Sequence, residues 1–598
     1  MRPICPLLRV TVLWPFGGEL REEIDWFRGG QHLLRTHKTR PVGGALVLVV
    51  VLLASLMAGA LGVAAQAEDP GTPPPASGTL GQPAGTETTS GGTTTTSKVS
   101  TLAQEPPAAP VVQNEDFVLK RGLTESLDVA ANDTCSTNPN DTCTYAAGPI
   151  PAGWGMTLSS DGHTMTIWVP GKTSPGAYAV NYTVTNNSAG PLLQTSGQVI
   201  VRVTLDAYNP PAGMTFTHPY RKGYRTLIRQ HVVRTINSVP TGARIRVASW
   251  SFASKDYRLA LKAAKARGVS VQIVLSQRNT RKNSDYRLLA RIFGTSVTAD
   301  GSWVKKCKLS CRGTGGTMHS KIFLFDQVYR TRYVDMSGSA NLTDFAVTNQ
   351  WNQMNTVVGD QAVFDEAVRI FNEMAADRPA PYVETHYPNL WTYYYPRGRA
   401  TRANDFMLQA LAPVRCTGAV NAGKGGRTII KIAMYAWYQQ RGQWLAKRVR
   451  QLWNQGCQIQ IVFAISSNPV KSILYSPSGR GRIPMRQILL TNTKHVPIYY
   501  LHDKWVSITG NYAGKPDNSV SFQGSFNFSD LGFTSDEEFQ MIRGRDVYNR
   551  FARDFKLLWT DRQARAPSPI SMIPTIEGRY GQNDLRLGTG VYRYMEAD

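Results

Sequence analysis

The sequence predicts an α/β protein in which one α-β-α sandwich is built twice, with a small all-β sandwich ahead of the pair. Three observations carry this. Beyond residue 207, near-continuous apolar strands alternate with helical segments, the pattern of sheets covered on both faces. Two independent markers in that region recur at almost the same offset: Gly268 and Gly456 lie 188 residues apart, His319 and His502 183. Before residue 207, short β-branched runs are separated by Gly, Pro and Asn turns instead.

A chain of 598 residues has room for several domains with sizeable cores. Residues 1–41 form a leader that turns basic near its end at Arg35, Lys38 and Arg40. Residues 42–65 are uncharged and dominated by Val, Leu and Ala, long enough to span a bilayer. Ala65-Gln66-Ala67 before Glu68 has the form of a signal-peptidase site, so residues 42–67 read as a signal peptide or an uncleaved anchor. Positive charge precedes the run, which places the bulk of the chain outside the cytoplasm, secreted or held at the outer face of the cell membrane. Cysteine usage points the same way: beyond Cys5 in the leader, six cysteines fall as Cys135 with Cys143, Cys307 with Cys311 and Cys416 with Cys457. These local spacings suggest three disulfides, although six cysteines allow 15 pairings in principle. A zinc reading of Cys307 and Cys311 lacks a second ligand pair nearby.

Residues 68–110 are rich in Thr, Gly, Pro and Ser and read as a flexible linker. Residues 111–206 carry the all-β pattern, a spacer rather than a catalytic unit, with calcium at Asp128 and Asp133 a minor alternative. Residues 127–134 resemble bacterial Ig-like or cadherin-like modules. The duplicated halves follow as residues 207–384 and 385–565, with a tail at 566–598. In the first, residues 245–250 read as a strand, 255–267 as a helix and 268–275 as a second strand; in the second, 429–437, 443–454 and 456–463 repeat that order. The aromatic stretch 387–396 is expected to pack the connection onto the fold, and the loop 476–482 to be solvated.

The chemistry sits in a repeated group. Met318-His319-Ser320-Lys321 is followed by an apolar run, Asp326 and Gly338-Ser339-Ala340-Asn341. Leu501-His502-Asp503-Lys504 is followed by Gly524-Ser525-Phe526-Asn527. On a strand, residues two apart face the same way, so His319 with Lys321, and His502 with Lys504, project together. Each group offers an imidazole, an ammonium, a hydroxyl and an amide, and two groups face to face would surround one phosphate. Cleaving a phosphodiester needs a nucleophile, a proton for the leaving oxygen and donors for the non-bridging oxygens. Imidazole serves either of the first two roles near neutral pH.

These residues resemble the phospholipase D superfamily, whose signature is His-x-Lys-x4-Asp with a downstream Gly-Ser-x-Asn, present twice per site. The resemblance covers roughly residues 210–560 and implies a metal-free, cofactor-free phosphodiesterase working through a phosphohistidine. His319 is expected to be the nucleophile, because its half keeps the full His-Lys-Asp set, and His502 the acid that then activates water. Lys321, Lys504, Asn341 and Asn527 would hold the phosphate oxygens, with Ser339 and Ser525 in support. Glu537 or Glu538 would orient His319. The comparable stretch for His502, Asn349-Gln350-Trp351-Asn352, carries amides, which predicts weaker support. The motif departs from the signature once: Asp326 has Thr509 as its counterpart.

Charge narrows the partner without choosing it. Residues 68–206 carry a net −7 and residues 207–598 a net +28, out of +24 overall. A basic catalytic region draws polyanions, whether an anionic bilayer or nucleic acid. Export, both motifs in one chain (hence activity as a monomer) and 25 Tyr with 13 Trp favour a phospholipid substrate. A secreted metal-independent nuclease and a non-catalytic protein that binds anionic surfaces are the alternatives.

Overall fold

The computed structural model describes residues 10–13, 19–22, 107–188, 193–280, 285–493 and 497–567. The apolar segment 42–67, most of the linker and nearly all of the tail lie outside them. Among the first 101 residues the described part is one antiparallel pair, Val10–Leu13 with Glu19–Glu22. No described helix is long and apolar enough to cross a membrane.

The all-β region packs two sheets around one core. One sheet orders Glu115–Lys120, Leu193–Thr204, Gly176–Asn186 and Cys143–Ala147; the other orders Thr124–Asp128, Thr164–Trp168 and Gly155–Leu158. Alternation explains the packing: Val180, Tyr182 and Val184 point inward from one strand, and Val199, Val201 and Val203 from its neighbour. Asp128 and Asp133 serve the chain's own turns: Asp128 accepts from Ala130 N at 3.0 Å, and Asp133 from Gln113 N at 2.9 Å. Glu125 meets the Tyr329 hydroxyl and the Arg330 guanidinium, which ties this sandwich to the first α/β half.

That half is a seven-stranded mixed sheet. Its strands are β1 (Gly213–Phe216), β2 (Arg244–Ser249), β3 (Ser270–Ser276), β4 (Trp303–Cys307), β5 (Lys321–Val328), β6 (Thr331–Gly338) and β7 (Gln353–Val358), in spatial order β1-β7-β6-β5-β2-β3-β4. Helices α1 (Leu227–Asn237) and α2 (Lys255–Ala266) cover one face and α3 (Gln361–Ala376) the other. The sequence explains the docking. Tyr257, Ala260, Leu261 and Ala264 recur at helical spacing and are all buried. Along β5, Phe323 and Phe325 face α2, whereas Ile322 and Leu324 face α3.

The second half repeats the plan. Its sheet runs β8 (Val383–His386), β9 (Leu390–Tyr394), β15 (Glu538–Arg543), β14 (Lys515–Gly524), β13 (Lys504–Tyr512), β10 (Ile429–Trp437), β11 (Gln458–Ser466) and β12 (Met485–Gln487), with a ninth, two-residue strand, Val414–Arg415, against β13. Helices α4 (Gln439–Asn454) and α5 (Arg545–Trp559) cover opposite faces. Gly268 and Gly456 hold φ of +85° and +100° just beyond α2 and α4, the left-handed turn that ends a helix and that glycine adopts without strain. Helix α4 begins four residues earlier than its sequence pattern indicates, because Arg441 N donates to Asp530 Oδ1 at 2.7 Å and anchors the first turn.

Other segments lie as packing requires. Tyr393, Tyr394 and Tyr395 are buried on β9 and just after it. In the loop 476–482, Arg480 stacks over Trp453 at 4.1 Å and Arg482 over Tyr475 at 4.8 Å. Those stacks hold the loop against α4 and the helix Asn468–Leu474. The three disulfides are Cys135–Cys143, Cys307–Cys311 and Cys416–Cys457. The first of the latter two takes both sulfurs out of metal ligation, although Asp377 lies close by.

Candidate functional site

Each His-x-Lys group sits at the start of a central strand. Lys321 opens β5 and Lys504 opens β13, and both strands lie between two others in their sheets. The Gly-Ser-x-Asn groups follow the ends of the neighbouring strands β6 and β14. Antiparallel pairing of β5 with β6, and of β13 with β14, therefore returns Ser339 and Asn341 beside Lys321, and Ser525 and Asn527 beside Lys504. Glycine is required where it occurs: a Cβ on Gly338 would lie 2.2 Å from Gln353 O, and one on Gly524 2.2 Å from Glu538 O. His319, Lys321, Ser339, Asn341, His502, Lys504, Ser525 and Asn527 are all buried.

The halves interlock through these side chains. His319 Nδ1 lies 2.9 and 3.0 Å from the two carboxylate oxygens of Glu537, in the second half. The Ser525 hydroxyl donates to the same carboxylate. His502 Nδ1 lies 2.8 Å from Asn352 Oδ1, in the first half, and Ser339 Oγ donates to that oxygen at 2.9 Å. The main chain repeats the exchange: His319 N donates to Asp536 O at 3.0 Å, and His502 N to Trp351 O at 2.8 Å. So do the following residues, with Lys321 N directed at Glu538 Oε2 and Lys504 N at Gln353 Oε1. Gln353 also donates to Lys504 O and Gly524 O, stitching the two groups into one network.

Hydrogen-bond logic fixes the tautomers. Asn352 Nδ2 donates to Ala346 O at 3.2 Å, which leaves Oδ1 as the acceptor. His502 Nδ1 therefore carries a proton, and its Nε2 lies 2.8 Å from Lys504 Nζ. Glu537 imposes the same tautomer on His319, directing its Nε2 lone pair away from the carboxylate. Lys321 Nζ donates to His319 O at 2.5 Å. Burial next to Glu537 raises the Glu538 carboxyl to about 8, with Lys321 pulling the other way. Glu538 thus holds its proton at neutral pH.

The structure separates some of the residues the sequence groups together. Asp326 is not at the site: it is five residues along β5 on the opposite face from Lys321, half-exposed, and paired with Arg246 at 2.6 Å. Its counterpart Thr509 bonds Ser519 at 2.7 Å on β14, so the missing carboxylate removes nothing from the centre. Glu538 does not orient His319; Glu537 does, and Glu538 faces the Lys321 backbone. Asn352 is a full acceptor for His502, so the amide-bearing stretch does supply its support.

Sequence reasoning missed the aromatic walls. Trp250, just past β2, sets its ring edge-on to His319 at 5.7 Å and lies 5.8 Å from Lys321 Nζ. Tyr435 on β10 stands in the same place for His502, at 4.8 Å, with Lys504 Nζ 4.9 Å from its ring. The signal was present, because both residues occur at the same point of the repeat. Asp536 was also missed. It gathers Ser310 Oγ at 2.8 Å and the backbone N–H groups of Cys311 and Arg312, clamping the disulfide loop ahead of His319 to the residue before Glu537. Burial nevertheless pushes its carboxyl up to about 7.

Residues 232–375 match the family model described as cardiolipin synthase, PLD-like domain. The matched segment holds the first His-x-Lys and Gly-Ser-x-Asn groups. No curated protein matches the chain in sequence. Among solved structures, the chain is similar to polyphosphate kinase from Porphyromonas gingivalis, at 13% identity and TM-score 0.40 over 60% of this chain. The match spans about half of that kinase, 52%. It is also similar to NucT from Helicobacter pylori (20% identity, TM-score 0.22, 27% of this chain and 96% of that one). A phospholipase D family member, Nuc from Salmonella typhimurium, gives 22% identity and TM-score 0.22 over 28% of this chain and 96% of that one.

Proposed function

We propose that the chain is an exported phosphodiesterase of the phospholipase D type that hydrolyses the head-group phosphodiester of a phospholipid through a phosphohistidine. One observation carries the reading: each motif histidine has its Nδ1 held by a residue of the opposite half, so both motifs serve a single centre. His319 Nε2 attacks phosphorus, the bond to the leaving alcohol oxygen breaks, and His502, carrying a second proton on Nε2 when substrate is bound, gives that proton to the oxygen. Glu537 stabilises the cationic ring that results. Water then attacks the phosphohistidine, His502 takes its proton, and the P–N bond breaks to free His319 and the phosphomonoester. Lys321, Lys504, Asn341 and Asn527 stabilise the charge on the non-bridging oxygens. Asn341 supports this role, since its buried amide has no partner among the described residues. A polar group buried without a partner is costly unless a ligand meets it.

The phospholipid assignment draws on the name of the matched family model, on the basic region from residue 207 onward and on the three disulfides, which suit an oxidising compartment. Residues 111–206 serve as an Ig-like spacer in this reading. The test is a panel of phospholipids with different head groups, plus plasmid DNA, each incubated with the protein in EDTA. Release of head group, lost in His319→Ala and His502→Asn, supports the proposal. Cleavage of DNA alone would transfer the site to the nuclease class, and inertness towards every substrate would sink the catalytic reading.

A further inference from the structure

Away from the paired histidines, a cleft of about 770 Å³ opens where the two halves meet, between α1 and β1 of the first and α5 of the second. Its walls differ in chemistry. Helix α5 contributes Arg550, Arg553 and Lys556, all exposed, spaced three apart and so confined to about 120° of the helix circumference. None of the three forms an ion pair with a described residue. The Arg550 guanidinium lies over Gly213 of β1, where an added Cβ would come within 2.9 Å of Nη1. That glycine is the room a cation needs to reach across from one half to the other.

The opposite wall is apolar and aromatic, with Phe216, Leu227 and Tyr224 among its residues. The floor is polar and buried. His218 Nε2 is bonded to Asp554 Oδ1 at 2.8 Å, and both residues are more than nine-tenths buried. The remaining atoms, His218 Nδ1 and Asp554 Oδ2, have no partner among the described residues. The floor therefore offers two polar atoms that a hydroxyl, donor and acceptor alike, can meet. Three unneutralised cations, an apolar wall and a pair of buried polar atoms without partners are the complement of one kind of molecule.

We propose that this cleft binds a small phosphate ester with a hydroxyl-bearing organic body: the phosphate against Arg550, Arg553 and Lys556, the hydroxyls at His218 and Asp554. The cleft shares no lining residue with the paired histidines, although Asp554 in its floor acts electrostatically on Asp503, between His502 and Lys504. Its test reads binding rather than turnover, so it stands or falls apart from the proposed reaction. Glycerophosphodiesters, a nucleoside monophosphate and inorganic phosphate are titrated by calorimetry into the full chain, its His319→Ala variant and an Arg550→Gln/Arg553→Gln/Lys556→Gln variant. Near-UV circular dichroism checks that the triple variant remains folded. The expected result is saturable one-to-one binding of an organic phosphate, unchanged in His319→Ala and weakened at least about tenfold in the triple variant, given the strength of charge-assisted phosphate contacts. Equal binding of inorganic phosphate would remove the role of the organic body and overturn the proposal. So would full affinity in the triple variant, loss of binding in His319→Ala, or no binding by any of the three ligands.

Discussion

Asn352 accepts the Nδ1 proton of His502 at 2.8 Å, and it does so from the other half of the molecule. Its counterpart at His319 is a carboxylate, Glu537. The centre is therefore symmetric in shape and asymmetric in charge. A carboxylate stabilises an imidazolium far more than an amide does, so in the proposed reaction the ring that becomes cationic is the one beside Glu537. Replacing Asn352 by Asp would make the second ring easier to protonate. In the proposed reaction His502 must be protonated to release the alcohol, and activity falls as pH rises through its titration. Asn352→Asp is therefore expected to move that fall to higher pH, while Asn352→Leu lowers kcat roughly 10- to 100-fold by freeing the ring. A pH profile unmoved by Asn352→Asp would contradict the assignment of acid and nucleophile.

Glu537→Gln keeps the size of the side chain but removes the charge that faces His319. The expected loss is about 10⁴-fold in kcat, of the order seen when a buried carboxylate behind a catalytic histidine is neutralised. A companion measurement tests the covalent step directly. With head-group-cleavable lipid labelled at phosphorus, His502→Asn should accumulate acid-labile label on the protein, and His319→Ala should not. Label retained by His319→Ala would assign the nucleophile to the other ring.

Much of this is legible in the sequence. The duplication is visible because the strand–helix–strand order and the Gly-Ser-x-Asn spacing are local properties of the chain. Both motif sets are legible because catalysis fixes residue types at short range. What escaped is what depends on strands from different halves meeting. The repeat points from residues 349–352 to His502, but that Asn352 is the one that meets its ring, across 150 residues, depends on the edge-to-edge pairing of Gln350–Trp351 with Pro497–Leu501. Asp326 misled for the converse reason: the signature places it in the motif, but strand alternation and five residues of β5 carry it away to Arg246. Trp250 and Tyr435 read as ordinary strand aromatics until the sheets are assembled around the two histidines.

The loop closed by Cys307–Cys311 has a structural role that predicts a functional one. Three donors from Ser310, Cys311 and Arg312 converge on Asp536, the residue that precedes Glu537 and whose carbonyl receives the His319 N–H. Opening the loop should loosen His319 and Glu537 together. Cys307→Ser/Cys311→Ser is expected to lower kcat at least about tenfold while the protein stays folded at 25 °C, because misplacing catalytic groups by an ångström is costly. Unchanged kcat in a folded double variant would show that the clamp is not needed for alignment.

A last prediction concerns stability alone. Asp335 lies in β6, fully buried, with Oδ1 unpartnered, and burial together with nearby Glu366 pushes its carboxyl up to about 7. An unfolded Asp titrates near its ordinary value of 3.8. Between those values the folded chain keeps a proton that the unfolded chain releases, so this residue's contribution to stability falls as pH rises through the window. Below about 4 both states are protonated and the penalty vanishes; above about 7 the folded state holds a buried charge. Asp335→Asn supplies a neutral isostere at every pH. Its Tm should match that of the parent chain near pH 4 and exceed it at pH 8, where an unpaired buried carboxylate costs most. A parent chain more stable than the variant at pH 8 would mean that Asp335 is paired as an anion in solution, against the geometry of β6.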